Sequence, residues 1–335
     1  MPNILLTQRC VRSCPYCFAK KYMAEQANDD FLSWENLIYL TDFMEASGQR
    51  HVSLLGGEPT LHPDFTAYVI YLLERNFHVN VFTSGIMTNQ QLEEAAHILG
   101  GVHEERLSFV CNLNDPRQTN TPMAETESVK RFLGHFGNRT SASFNIYRSD
   151  FNMDFLFQYI NEFGLKRHIR LGIANPIPGN ANRFITPDKF DVVMQQLLVF
   201  APVAERLRIK FGFDCGFPMC KLDDSQLGWL FRNTGGAPSF GCGPAIDIGP
   251  DMTVWSCFPL ANYHKRSIFE FNSLDDVIKF YEHKTRTIRI ESGGIYEECD
   301  TCLYREDGKC AGGCLSHMLS AFNNEARVRL PDIYQ

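Results

Sequence analysis

The chain has 335 residues, a formal net charge of −7 and ordinary globular proportions, with 44% hydrophobic and 21% charged residues. This composition excludes a disordered chain and, at roughly 150 residues per domain, leaves room for about two domains. The acidic balance gives a nucleic-acid backbone little to hold, no apolar run reaches the roughly 18 residues of a membrane span, and no secretion signal opens the chain, so a cytoplasmic location is expected.

Residues 4–7 form a short apolar run that reads as a buried strand. Residues 33–47 set Trp34, Leu37, Ile38, Thr41 and Met44 at helical spacing behind Ser33 as N-cap. A second strand, 51–55, is closed by Gly56 and Gly57. Pro63 opens a helix to about residue 75, and residues 77–83 form a third strand, stopped at Ser84 and Gly85. Thr88 and Gln91 make a capping box for a helix to about residue 99. Further strands at 106–113, 141–147 and 168–174 alternate with helices at 122–136, 152–163 and 187–200. Six β-then-α units predict a parallel sheet with helices outside it. They are too few for a closed eight-fold barrel, so the expected fold is α/β, a partial (β/α)6 TIM-like barrel with its chemistry at the C-terminal strand ends. After residue 210 glycine, proline and cysteine rise. Runs at 245–248 and 253–258 around Gly249, Pro250 and Asp251 predict a hairpin, Ser273 caps a helix to about residue 287, and residues 299–314 are irregular. The expected division is a barrel at 1–205 and a small cysteine-rich α+β extension at 206–335.

Twelve cysteines are the unusual count. A disulfide framework, structural zinc and iron–sulfur ligation compete for them, and a reducing cytosol disfavours the first. Cys10, Cys14 and Cys17 directly follow the first strand. Three thiolates on one loop can hold three corners of a [4Fe–4S] cluster and leave one iron open, the alternative being a zinc knuckle one ligand short. One β-α unit later, Gly56, Gly57, Glu58 and Pro59 end the second strand. Two glycines admit close backbone approach, and a carboxylate can pair with an ammonium. The triplet, with Tyr16 before its third cysteine, and this Gly-Gly-Glu-Pro turn together resemble the radical S-adenosylmethionine (SAM) enzymes, over about residues 1–200.

The resemblance implies that Cys10, Cys14 and Cys17 bind a [4Fe–4S] cluster whose open iron is chelated by SAM. An electron then cleaves the sulfonium, and a 5′-deoxyadenosyl radical abstracts hydrogen from the substrate. It also implies SAM contacts at Tyr16, Gly56, Gly57, Glu58 and Pro59, at Thr83 and Ser84 after the third strand, at Asn112, at Asn145 and Arg148, and at Ile173 beside the adenine.

Taken alone, Cys299-x2-Cys302-x7-Cys310-x3-Cys314 also suits zinc. Preceded by Cys242-x14-Cys257 across the hairpin, it resembles the SPASM extension of radical SAM enzymes, which implies one or two auxiliary [4Fe–4S] clusters. Two features depart from that pattern. Seven residues rather than five separate Cys302 from Cys310, and no cysteine follows Cys314, while Cys215 and Cys220 lie upstream. The family's interlaced ligation would group Cys220, Cys242, Cys257 and Cys314 in one cluster. Cys299, Cys302 and Cys310 would hold the second, whose fourth corner falls to Cys215, another side chain or nothing. Cys111 reads as a packed thiol. Sulfatase-maturing relatives carry an acid right after the hairpin's second cysteine. Phe258 stands there, so Asp214 becomes the candidate proton acceptor, with a loop cap as the plainer reading.

SPASM-type resemblance implies oxidative maturation, crosslinking or epimerisation of a ribosomal peptide, with auxiliary clusters able to take an electron from a product radical. The alternative is a dehydrogenase or epimerase of a small molecule such as a sugar, amino acid or cofactor precursor. A zinc-bearing, non-enzymatic binding module is the reading from another class. Expected partners are the substrate and an electron donor such as a flavodoxin or ferredoxin. Nine residues precede Cys10, so recognition of a leader peptide is expected to need a separate protein or strand addition at the sheet edge.

Overall fold

A computed structural model describes residues 2–19, 31–117, 123–179, 181–214, 217–235, 240–243 and 245–325, so Cys215 lies outside the described residues. Seven strands run in chain order across one sheet: β1 (Asn3–Thr7), β2 (His51–Gly56), β3 (His78–Thr83), β4 (Leu107–Asn112), β5 (Thr140–Ile146), β6 (His168–Ile173) and β7 (Lys210–Phe213). Each pairs in parallel with the next. The crossovers are α1 (Trp34–Ala46), α2 (Phe65–Glu74), α3 (Asn89–Leu99), α4 (Met123–Phe136), α5 (Asp154–Glu162), and α6 (Phe190–Val199) with α7 (Ala201–Arg206). The caps act as the sequence predicts: Ser33 accepts from the Asn36 amide, and Thr88 and Gln91 close a reciprocal box. Two starts differ. The helix expected from Pro63 begins at Phe65, and Pro187 opens a 3-10 turn, Pro187–Lys189, before α6. β7 is a seventh strand, too short at 4 residues to show a period in the sequence.

Strand alternation sends Ile4, Leu6, Val52, Leu54, Val79, Val81, Phe109 and Ile169 into one buried core with Leu37, Leu40, Leu72 and Phe132 of the helices. The intervening residues face the other side. There Asn3, Ser53, Asn80 and Ser108 stand in register across β1 to β4. A closed barrel fills this space with branched apolar layers; here the first row of the inner face is polar, and Leu5, Leu55, Phe82 and Val110 follow it two residues along.

The expected hairpin is β8 (Ile246–Ile248) and β9 (Thr253–Ser256), continued by β10 (Arg266–Ser267). β8 pairs in parallel with the free edge of β1. The result is one open ten-stranded sheet, ordered β10-β9-β8-β1-β2-β3-β4-β5-β6-β7, that runs through the division expected at residue 205. Asn3 Nδ2 donates to Asp247 Oδ1 across this junction at 2.7 Å, and Trp255 packs on Leu5. The remaining helices are α8 (Asp224–Asn233), α9 (Leu274–Ser292), α10 (Leu303–Glu306) and α11 (Leu315–Glu325). Among the described residues no helix is long and apolar enough to cross a membrane.

Candidate functional site

β1 delivers the chain into the Cys10–Cys17 loop at its C-terminal end, where the loop folds against the end of β2. Gly57 N donates to the Thr7 carbonyl at 2.9 Å, and Glu58 N to the Arg9 carbonyl at 2.7 Å. A Cβ on Gly56 would strike the Thr7 carbonyl, and one on Gly57 the Arg9 carbonyl, so only glycine permits this contact. Pro59 then opens a 3-10 turn, Pro59–Leu61.

Glu58 is buried, with its carboxylate turned into the protein. Oε1 accepts from Thr60 Oγ1 at 2.9 Å and Thr83 Oγ1 at 2.7 Å; Oε2 accepts from Ser84 N at 2.7 Å and Ser84 Oγ at 2.5 Å. Glu58, Thr83 and Ser84, named separately from sequence, thus form one unit that ties β2 to β3. Tyr16, Asn112 and Asn145 form a second. Asn112 Nδ2 donates to the Tyr16 hydroxyl at 2.9 Å, that hydroxyl to Asn114 Oδ1 at 2.9 Å, and Asn145 Nδ2 to Asn112 Oδ1 at 2.8 Å. The Tyr16 ring lies 5.0 Å from Tyr147, and burial raises its hydroxyl pKa.

Sequence reasoning missed Arg12, although it lies inside the triplet. Its guanidinium donates to the Asn112 carbonyl at 2.6 Å and to Glu125 at 2.5 Å, fastening the cysteine loop to β4 and α4. Burial pushes the Cys10 thiol up to about 11, and Glu58, Cys17 and Cys14 add to the rise. Among the described residues no three His, Cys, Asp or Glu side chains converge closely enough to share one metal ion. A four-iron cube takes each thiolate at a different iron. Three soft thiols on one loop, anchored on both sides, are a donor set that fits such a cluster. The eleven described cysteines form no disulfide with one another.

Arg148 makes a two-point ion pair with Asp150 at 2.5 Å rather than standing open to a carboxylate. Ile173 is buried at the end of β6, where its carbonyl accepts from Asn175. A cavity of about 380 Å³, lined by Tyr147, Arg148, Arg183, Thr186 and Lys189 among others, opens beside these residues. Arg183 N donates to the Pro15 carbonyl at 2.9 Å, so this wall is joined to the cysteine loop.

Asp214 follows β7 on the inner face. It pairs with Arg170, a second residue not singled out from sequence, whose Nη1 donates to Ser143 Oγ at 2.9 Å and whose guanidinium lies 4.9 Å from the Phe82 ring. Burial raises the Asp214 carboxyl above its usual range, and Arg170 opposes that rise. With 36% of its side chain still exposed, Asp214 lies deep in the barrel yet open to its interior.

The C-terminal cysteines follow β7 in the chain, and Tyr296, beside Cys299, reaches the Pro187 carbonyl at 2.8 Å. Cys257 sits at the end of β9 with φ 65°, a conformation costly for a residue with a side chain. Its neighbour Phe258 meets Phe18, next to Cys17, at 5.4 Å. Ala311 N donates to the Phe240 carbonyl at 2.9 Å, which brings the Cys242 segment beside the Cys310–Cys314 turn. Burial and the nearby Cys242 push the Cys314 thiol up to about 11. Arg289 of α9 braces this turn through the Ala311 carbonyl at 2.6 Å and the Gly313 carbonyl at 3.2 Å. Cys220 lies in the 3-10 turn Met219–Lys221. Burial raises its thiol, and the neighbours that add to the rise are Cys299 and Cys310. Cys111 is a buried thiol inside the core, as read from sequence.

Residues 4–118, the span of β1 to β4 and their loops, match the family described as the Radical SAM superfamily. This chain carries a radical SAM domain. The radical SAM domain is similar to the S-adenosylmethionine-dependent nucleotide dehydratase of Selenomonas ruminantium, 37% identical over 93 residues, or 27% of this chain and 32% of that one. It is similar too to the PqqA peptide cyclase of Granulibacter bethesdensis, 29% identical over 104 residues, or 31% of this chain and 27% of that one. The chain therefore spans about a third of the length of these curated relatives. Likeness of fold reaches further. Streptococcus suis SuiB, solved with S-adenosylmethionine and with its precursor peptide SuiA, superposes with TM-scores of 0.64 and 0.65 over 94% of this chain and 73% and 72% of SuiB, at 14% identity.

Proposed function

We propose that this chain is a radical SAM enzyme that modifies a ribosomal peptide. The observation that carries the reading is the pair of backbone hydrogen bonds from Gly57 and Glu58 to Thr7 and Arg9, which locks a three-thiol loop against a Gly-Gly-Glu-Pro turn. When bound, a reduced cluster and SAM supply a 5′-deoxyadenosyl radical that removes a hydrogen atom from the substrate. The protein's part is geometry and exclusion of water. Cys10, Cys14 and Cys17 hold the cluster, and Arg12 fixes their loop. Gly56, Gly57 and Pro59 offer backbone to the SAM amino group, and Glu58 acts by holding the Thr83–Ser84 turn. Tyr16, Asn112 and Asn145 present amides and a hydroxyl to the nucleoside, and Ile173 an apolar edge. Asp214 is placed to accept a proton on the inner face, with Arg170 stabilising its charged form.

The C-terminal region, on this reading, is a SPASM-like extension holding auxiliary [4Fe–4S] clusters. Cys242, Cys257 and Cys314 form the nucleus of one, and Cys299, Cys302 and Cys310 that of the other. The strained backbone at Cys257 is what a residue held in place for a ligand role would show. Peptide substrates are favoured by two likenesses, in sequence to a peptide cyclase and in fold to an enzyme solved with a precursor peptide. A flavodoxin or ferredoxin would supply electrons, and a separate protein would present the leader. Incubating the reconstituted protein with SAM, a reductant and the peptide encoded beside its gene should form 5′-deoxyadenosine and shift the peptide mass. SAM cleavage with no peptide shift would end the peptide assignment.

A second reading has its own support. The nucleotide dehydratase is similar at 37% identity, and the 380 Å³ cavity carries Arg183 and Lys189, cations suited to phosphate. Nucleoside triphosphates in place of the peptide should then raise 5′-deoxyadenosine yield.

A further inference from the structure

We infer that Cys220 is the fourth thiolate of the cluster nucleated by Cys299, Cys302 and Cys310. The inference rests on the auxiliary-cluster reading above and departs from the interlaced grouping that the sequence predicts.

Cys220 lies in the 3-10 turn Met219–Lys221, just ahead of α8. The next residue, Lys221, sets its ammonium 4.2 Å from the centre of the Tyr296 ring. The Tyr296 carbonyl accepts the Cys299 N–H at 3.0 Å, and its hydroxyl donates to the Pro187 carbonyl at 2.8 Å. One tyrosine therefore joins the Cys220 turn, the Cys299 turn and the rim of the barrel. From Cys299 the chain closes on itself. Cys302 N donates to the Cys299 carbonyl at 3.4 Å, Arg305 Nη1 to the same carbonyl at 3.2 Å, and Cys310 N to the Tyr304 carbonyl at 3.0 Å. Cys299, Cys302 and Cys310 thus ring one small loop, and the Lys221–Tyr296 contact brings the Cys220 turn to it from outside. The Ala311–Phe240 hydrogen bond instead sets the Cys242 segment beside the Cys310–Cys314 turn.

This arrangement answers the departure noted in the sequence. The ligand pattern read from the sequence leaves the fourth corner of the Cys299, Cys302 and Cys310 cluster open. The fold returns an upstream thiol to that corner. Cys220 is exposed, while Cys299 and Cys310 are buried. An exposed, unligated thiol is open to oxidation, whereas ligation shields it. Binding asks only that the thiol give up its proton to solvent as the sulfur–iron bond forms.

The test uses the full chain, reconstituted anaerobically with iron and sulfide, then treated with iodoacetamide and mapped by mass spectrometry. Cys220 should be protected together with Cys299, Cys302 and Cys310, and all four should react once iron is chelated. In parallel, Cys220→Ser and Cys302→Ser should alter the same cluster signal in electron paramagnetic resonance, each with a loss of up to about four irons per chain. Cys314→Ser should alter a different signal. Alkylation of Cys220 in the loaded protein while Cys299, Cys302 and Cys310 stay protected would overturn the inference, as would a Cys220→Ser spectrum that matches Cys314→Ser. Unchanged iron in both Cys302→Ser and Cys314→Ser would instead bring down the auxiliary-cluster reading, and this inference with it.

Discussion

Five donors from Thr60, Thr83 and Ser84 converge on the Glu58 carboxylate, and each of its oxygens receives at least one backbone N–H. A hydroxyl can rotate to accept; a backbone N–H cannot. Whichever way a glutamine amide turns, one N–H must therefore face another. Glu58→Gln is expected to cost about 1–3 kcal/mol and to loosen the Thr83–Ser84 turn. Thermal unfolding should read the first effect, and calorimetric SAM binding the second. An unchanged melting temperature with unchanged affinity would refute the role given to Glu58. Asp247 makes a different case at the same scale. Burial raises its carboxyl from 3.8 to about 7, against the Asn3 amide that lowers it. The sign follows from linkage. Below about pH 4 the group is neutral in both states and carries no penalty. Between about pH 4 and 7 the unfolded chain ionises while the folded chain keeps its proton, so stability falls as pH rises. Above that window the full penalty, on the order of 4 kcal/mol, is present. Asp247→Asn keeps an acceptor for Asn3. It should leave stability at pH 4 nearly unchanged and raise it at pH 8, as urea unfolding at the two values would show.

At the scale of elements, the contact between the cysteine loop and the β2 turn has no slack. A methyl group on Gly57 would collide with the Arg9 carbonyl. Gly57→Ala should therefore part the turn from the loop and remove about four irons per chain, those of the first cluster, while far-UV circular dichroism stays close to that of the unaltered chain. Full iron retention would mean that the loop does not depend on this contact. The glycine pair was legible in the sequence because its chemistry is local, as were the Thr88–Gln91 capping box and the alternation that predicted six β-α units. What escaped is non-local or short. The four residues of β7 show no period, and α8 is announced only by Asp223 and Gln226, a capping box in a stretch where glycine and cysteine dominate the texture. The role of Arg12 depends on Asn112 and Glu125, about a hundred residues away, and Glu58 on Thr83 and Ser84. Spacing identified the cysteines as a class but could not group them, because the contacts that join their segments, Lys221 with Tyr296 and Ala311 with Phe240, span about seventy residues of chain.

The whole molecule has one sheet where two domains are expected. β1 stands in its middle, with β2 on one side and β8 on the other, and the cysteine loop hangs from its end. A self-contained barrel would expose β1 as an edge, with unpaired backbone groups and the apolar Leu5 side chain now covered by Trp255. It would also lose the Asn3–Asp247 contact and leave Phe18 without Phe258. A chain ending at residue 235 removes β8 to β10 and the six cysteines from Cys242 onward while keeping β1 to β7 and α8 intact. Were the barrel a separate domain, this shortened chain would unfold in one cooperative step and take up iron at Cys10, Cys14 and Cys17 as the full chain does. The shared sheet argues for the opposite outcome. The shortened chain should aggregate or unfold well below the full chain, and its Cys10–Cys17 loop should hold iron poorly even though all three ligands remain. The edge can also be covered without restoring the cysteines. A full-length chain with Cys242, Cys257, Cys299, Cys302, Cys310 and Cys314 replaced by serine keeps β8 against β1. It should hold the first cluster's iron better than the shortened chain does. Equal loss in both would place the dependence on the C-terminal cysteines rather than on the sheet.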